Sequence, residues 1–139
     1  MRTSFLDATI PHMALKSKIK DIEFGVGDIV RVVQRIKEGE KSREAIFEGM
    51  VIAIRGRAPS KTFMVRRIGE AGIGIEKIFP FNLPSLDKIV VVKKGTAGVR
   101  RAKLYYTRTK SPTEVEMIFK RAIEKSAKLT KSASKKSKK

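Results

Sequence analysis

The chain has 139 residues, with 32 lysines and arginines against 14 acids and a net charge of +18, which is enough for one domain with tails. It contains no cysteine, which excludes disulfides and cysteine-based zinc sites and suits a reducing compartment. No apolar run approaches the ~20 residues needed to cross a bilayer, and the first residues lack a secretory h-region, so a soluble protein is expected.

Residues 1–23 form a weakly patterned leader broken by Pro11, with room for a short helix from Met13 to Asp21. Gly25 and Gly27 supply a turn, and Asp28 opens a β-branched run that places Val30, Val32 and Ile36 on one face of a strand. After a turn at Gly39, "REAIFEGMVIAIR" reads as a longer strand, apolar on both faces around Val51 to Ile54 and therefore central. Arg55, Gly56, Arg57, Pro59 and Lys61 make a basic loop. "TFMVRRI", "IGIEKIFPF" and "DKIVVVKKG" supply three more strands, with "GEAG" and the prolines of "PFNLPS" as breaks, and Ile89 to Val92 read as buried strand. Five short strands at spacings of about ten residues, joined by glycine turns, predict an all-β fold, a small antiparallel barrel or sandwich. Closure into a barrel is expected because it removes exposed edges from aliphatic strands.

The period then changes. Val115, Ile118, Phe119, Ala122 and Ile123 share one helical face over 111–129. Ser111 can cap that helix, with Pro112 at its first position and Glu114 completing a capping box. Its apolar face must dock on the body or on a partner. Residues 130–139, a lysine–serine run, have little to bury and are expected to be a disordered basic tail.

Charge is unevenly distributed. Lys88 to Lys110 carries eight basic residues and no acid, and 125–139 carries seven and no acid, whereas the rest holds 17 basic and 14 acidic side chains. Two unbalanced blocks on a nearly balanced body point to a polyanionic partner, with nucleic acid foremost.

No catalytic constellation assembles. The single histidine, His12, lies in the leader and lacks the positioned partner that acid–base chemistry needs. The glycines of "GEAGIGIE" are followed by no Gly-Lys-Ser/Thr, so a hairpin turn is the better interpretation than a phosphate loop. Glu38, Glu40, Glu44 and Glu48 fit a solvated face better than a metal site. No enzyme, cofactor or metal is expected.

The nucleic-acid features are more specific. Arg55, Arg57, Lys61, Arg66 and Arg67 fall on one loop and the strand after it, so a hairpin could present them as one surface. Arginine's planar fork binds phosphate bidentately, whereas lysine is a mobile point charge; the body uses arginine at four of these five positions and the tail uses only lysine. Lys93, Lys94, Arg100, Arg101, Lys103 and Arg108 extend the basic surface. If the segment is extended, Tyr105 and Tyr106 face opposite ways, one into the core and the other free to stack on a base. The bland alternatives are solubilising charges and two structural tyrosines. No RRM, KH or zinc-finger signature supports sequence-specific readout.

At "FEGMVIAIRGR", "TFMVRRI" and "GVRRAKLYYTR", with "GDIVRV" and "KEG" in order before them, the sequence resembles the bacterial-type large-subunit ribosomal protein nineteen family over roughly Phe24 to Arg108. The resemblance implies an SH3-like barrel over 24–110 and a structural role in the large subunit. It further implies binding of large-subunit rRNA near the subunit interface, with neighbouring ribosomal proteins and small-subunit rRNA met at an inter-subunit bridge. A cytoplasmic, ribosome-bound protein without membrane partners follows. Ala45, Ala58, a longer "KKGTAGVRR" turn, the leader, and the helix with its lysine tail depart from the family pattern. A free-standing RNA-binding barrel is the competing interpretation, and a peripheral binder of anionic membrane is a weaker one, since a single polybasic tail supplies one of the two signals stable anchoring needs.

Overall fold

The computed structural model describes residues 16–96 and 99–136; His12 lies outside them. The strands expected from alternation form, and two more precede them. These are β1 (Lys16–Ile19), β2 (Ile22–Gly25), β3 (Ile29–Glu38), β4 (Lys41–Arg55), β5 (Thr62–Ile68), β6 (Gly74–Pro80) and β7 (Leu86–Lys93). A 3-10 turn over Tyr105–Arg108 and the helix α1 (Pro112–Lys136) follow.

Where a short helix had room to form, the chain makes the antiparallel β1–β2 hairpin, pairing Lys16 with Gly25 and Ile19 with Ile22. Alternation decides this: Ser17 and Ile19 point inward while Lys16 and Lys18 point out, a period of two rather than 3.6. Lys20 turns the corner with φ +53°, and its ammonium donates to the carbonyls of Leu86 (3.2 Å) and Asp87 (2.5 Å). That pair of bonds ties the hairpin to β7 and holds a lysine in a left-handed conformation that costs any side chain.

The other strands form one antiparallel sheet in the order β6-β5-β4-β3-β7. The expected closed barrel does not form: β6 and β7 end the sheet on opposite sides and share no ladder. The inner face is instead covered by the β1–β2 hairpin and the 81–85 linker, so side-chain packing does what edge pairing would have done. Phe24 meets Phe63 edge-on at 5.1 Å and lies 6.1 Å from Phe81, and Phe63 stacks on Phe79 at 5.3 Å. Such ring pairs are worth about 0.5–1.5 kcal/mol each beyond their burial.

β4 is central as expected, and Val51 to Ile54 are all buried. Both faces are covered: the aromatic cluster lies on one, and on the other the Leu104 amide donates to Ile52 O at 2.8 Å with Leu104 fully buried. A strand covered on both sides reads as a continuous apolar run. The Ile89–Val92 run is different. Ile89 is 2% exposed, but Val90 and Val92 are 40% and 49% exposed, because β7 is an edge strand covered on one face. Glu38, Glu44 and Glu48 pair with Arg43, Arg35 and Arg31 along the β3–β4 hairpin, the solvated face expected of them.

The capping box forms reciprocally: Glu114 N donates to Ser111 Oγ at 3.3 Å, and Ser111 N donates to Glu114 Oε2 at 3.0 Å. The helix continues past the expected end at 129 to Lys136, so the run expected as a disordered tail carries helical backbone through 136, and 137–139 lie outside the described residues. Near its start α1 docks on the body through Phe119, which packs against the core. The seat depends on two glycines. A Cβ at Gly27 (φ +94°) would collide with Val99 and crowd Phe119, and one at Gly95 would collide with the Gly27 carbonyl.

Candidate nucleic-acid interface

The acid-free run Lys88 to Lys110 begins within β7, and its later part lies on the outer face of the sheet, where Arg108 meets Met64 and Glu76 just before α1. Two acids from elsewhere in the chain hold it. Asp28, 2% exposed, accepts from Gly25 N (2.9 Å) through Oδ2, and through Oδ1 from Gly95 N (2.7 Å), Thr96 N (3.0 Å) and Thr96 Oγ1 (2.6 Å). Its own carbonyl accepts from Val51 N at 2.9 Å, so the carboxylate is fixed to β4 and fixes the start of the basic loop. Four charge-assisted bonds are what a carboxylate this deep requires.

Glu76 holds the other end. Its Oε1 accepts from Arg66 Nη1 at 2.9 Å and from Arg108 Nε at 2.8 Å, and its Oε2 from Arg108 Nη2 at 2.7 Å. The bidentate Arg108 guanidinium, with Arg66 assisting, keeps the Glu76 carboxyl below its ordinary value despite the opposing effect of burial. The strand register makes this possible, since Arg66 and Glu76 are directly opposed on β5 and β6.

The β4–β5 hairpin does carry Arg55, Arg57, Lys61, Arg66 and Arg67, but not on one surface. Arg66 and Arg67 point to opposite faces as strand neighbours must. Arg66 has a side chain 13% exposed and is neutralised by Glu76. Arg67 lies over the Phe47 ring at 5.4 Å, joined there by Lys77 at 5.1 Å. The Lys61 ammonium sits 5.0 Å from the Phe81 ring centre. Arg57 is exposed in the loop.

Tyr105 and Tyr106 are not on an extended segment. The 3-10 turn Tyr105–Arg108 brings both rings half-buried against the core. The Tyr105 ring has the Arg108 guanidinium at 4.6 Å and that of Arg55 at 5.4 Å, and its hydroxyl accepts from Arg55 Nη2. Tyr106 has Arg101 at 5.9 Å; burial pushes its phenol above the ordinary value, and the Arg101 charge opposes that. Tyr105 therefore orders two arginines, and Arg108 is exposed but already paired.

What remains is a set of cations with no carboxylate partner. Among the described residues Lys88, Lys93, Lys94, Arg100, Arg101, Lys103 and Lys110 make no ion pair within 4.0 Å; Arg100, Arg101 and Lys103 lie between the points that Asp28 and Glu76 hold, and Lys93 and Lys94 directly precede the first of them. Sequence reasoning missed both clamps. Glu76 could have been found by folding β5 onto β6 about the "GEAG" turn, whereas no local pattern marks Asp28. Among the described residues no acidic or histidine cluster could hold a metal ion, and no helix is long and apolar enough to cross a membrane.

The profile of a family described as "Ribosomal protein L19" matches residues 8–129. A protein named large ribosomal subunit protein bL19 from Thermosipho africanus (strain TCF52B) is 57% identical over 94 residues, covering 67% of this chain and 80% of that protein. Its namesake from Thermosipho melanesiensis (strain DSM 12029 / CIP 104789 / BI429) is 54% identical over 94 residues, with the same coverage. The protein of that name from Kosmotoga olearia (strain ATCC BAA-1733 / DSM 21960 / TBF 19.5.1) is 56% identical over 86 residues, covering 62% of this chain and 73% of that one.

Proposed function

Because the chain belongs to the ribosomal protein L19 family, whose members are structural and non-enzymatic proteins of the large ribosomal subunit, we propose that it binds large-subunit rRNA through the cations its own acids leave unpaired. The observation that carries this reading is the division of labour on the 88–110 segment. Arg108 is spent on Glu76 and Tyr105, and the backbone of Gly95 and Thr96 on Asp28, so the surrounding lysines and arginines stand on a fixed frame with open valence. Pre-positioned cations release condensed counterions on meeting phosphate at little further cost in ordering.

In this reading Lys93, Lys94, Arg100, Arg101 and Lys103, with Arg57, Lys61 and Arg67 on the β4–β5 hairpin, meet phosphates. Arg55, Arg66, Arg108 and Tyr105 act behind them by holding the surface in shape. The protein works in the cytoplasm, bound to the ribosome, with neighbouring ribosomal proteins beside it. Resemblance of the "FEGMVIAIRGR" and "GVRRAKLYYTR" motifs to the family supports a position near the subunit interface and a contribution to a bridge with small-subunit rRNA.

The test is binding of a large-subunit rRNA fragment across a salt series by wild type and by a triple variant Lys93→Ala, Lys94→Ala and Lys103→Ala. Each phosphate that is no longer neutralised flattens the slope of log affinity against log salt by about 0.7–0.9, while thermal stability changes little, since exposed charges contribute little to folding. An unchanged slope sinks the assignment.

A further inference from the structure

On the side of α1 away from the Phe119 seat, the helix and the 100–106 segment enclose a cleft of about 520 Å³. We propose that this cleft is a channel for an unpaired RNA strand, with α1 as one of its walls; the inference rests on the RNA-binding reading above and adds to it a site formed only by the docked helix.

The two walls come from distant parts of the chain and have the same sign. Arg100 and Arg101 line one, Arg121, Lys125 and Lys128 line the other, and Lys110 lies where the chain turns between them. On the helix the three cations are spaced by four and three residues, which puts them in one row facing the cleft. Glu124 is the acid among the lining side chains, and among the described residues it makes no ion pair within 4.0 Å with any of these cations. A row of this kind on a free helix is usually a solvated face. Here the fold carries it to within one cleft's width of a second cationic wall, where like charges repel unless an anion lies between them. The floor differs in kind: the Tyr106 ring, Ile118 and Ala122 line it, and all three are half-buried.

A cationic rim over an aromatic and aliphatic floor matches the two chemistries of a nucleotide, phosphate outside and base or ribose within. It is the pairing of groove and stacking platform used by binders of single strands. Duplex RNA keeps its base faces stacked inside the helix and could not offer one to Tyr106, so an unpaired loop or end is the form that fits. The repulsion also has a consequence for the helix. α1 is held by Phe119 near its start, and the strand between the walls holds its middle.

The experiment uses the full chain with a 12-nucleotide unpaired RNA and a blunt-ended two-stranded duplex of equal length without a loop, each titrated across a salt series. Relative to wild type, the double variant Arg121→Ala and Lys125→Ala should flatten the salt slope for the unpaired strand by about 0.7 for each phosphate no longer neutralised. Affinity for the duplex should stay within about twofold. The Lys93, Lys94 and Lys103 triple variant should weaken both. As a measurement independent of any substitution, 4-thiouridine RNA photo-crosslinked to the wild-type chain should label Tyr106 or the stretch 118–125. If the double variant is unchanged and crosslinks fall elsewhere while the triple variant still loses affinity, the cleft is not a site and the broader reading stands. If the triple variant is also unaffected, the broader reading falls with it. Displacement of the unpaired RNA by a glutamate-rich peptide that binds more tightly overturns the proposal in favour of an acidic protein segment.

Discussion

Asp28→Ala is the substitution whose effect the structure defines most closely. The carboxylate accepts four bonds, and two of its donors, the amides of Gly25 and Gly95, are buried. A buried donor stranded without a partner costs about 1–3 kcal/mol, so those two alone amount to roughly 2–6 kcal/mol. Thr96 is half-buried and can turn to water, which adds little. Against this, the variant no longer holds a charge away from solvent, and that relief returns part of the loss. A net destabilisation of about 3 kcal/mol follows, which for a chain of this size is a Tm lowered by about 10 °C. Thermal unfolding followed by circular dichroism measures the loss, and hydrogen exchange locates it. The Gly95 and Thr96 amides should lose protection while β4 and β5 keep theirs below the transition. Because Asp28 anchors the segment that bears Lys93 to Lys103, rRNA affinity should fall as well, although every phosphate-facing cation is still present. A Tm within about 3 °C of wild type with the Gly95 amide still protected would refute the argument that this carboxylate sets the loop.

Glu76→Gln should cost about 1 kcal/mol after solvent screening, because it weakens the bonds to Arg66 and Arg108 without opening a cavity. The Glu76 carboxyl is held below its ordinary value, so its contribution is complete above the unfolded value near pH ~4.3 and disappears as pH falls through the lower folded value. The Tm difference between wild type and variant should therefore be level at neutral pH and shrink below about pH 4; a difference that grows on acidification contradicts the pairing. Phe119→Ala should cost about 2 kcal/mol, roughly half the loss for a fully buried ring, since Phe119 is half-buried against Gly27 and Gly95. Limited proteolysis should then cut within 112–125 while the sheet resists, and unchanged resistance of α1 would mean that another part of the helix holds it.

The order of residues marks out the strands from β3 to β7, because alternation and β-branching are local and glycine and proline punctuate them. It also determined the start of α1, where Ser111, Pro112 and Glu114 form a cap within a few residues of one another. It located the excess charge and the motifs that carry the family resemblance. What those elements enclose depends on contacts between distant parts of the chain. Edge pairing depends on where distant strands end, so an open sheet covered by the β1–β2 hairpin could not be told from a closed barrel. The solvent exposure of Val90 and Val92 has the same origin, since an aliphatic run reads alike on an edge and at a centre. The site divides in the same way. Positions of cations are visible along the chain, but which of them are already paired is not. Arg66 and Arg108 meet Glu76 across 10 and 32 residues, and Asp28 reaches Gly95 across 67. Pairing at such separations depends on strand register and on the docking of the returning chain, so only the folded molecule distinguishes the arginines that build the surface from those left free to meet phosphate.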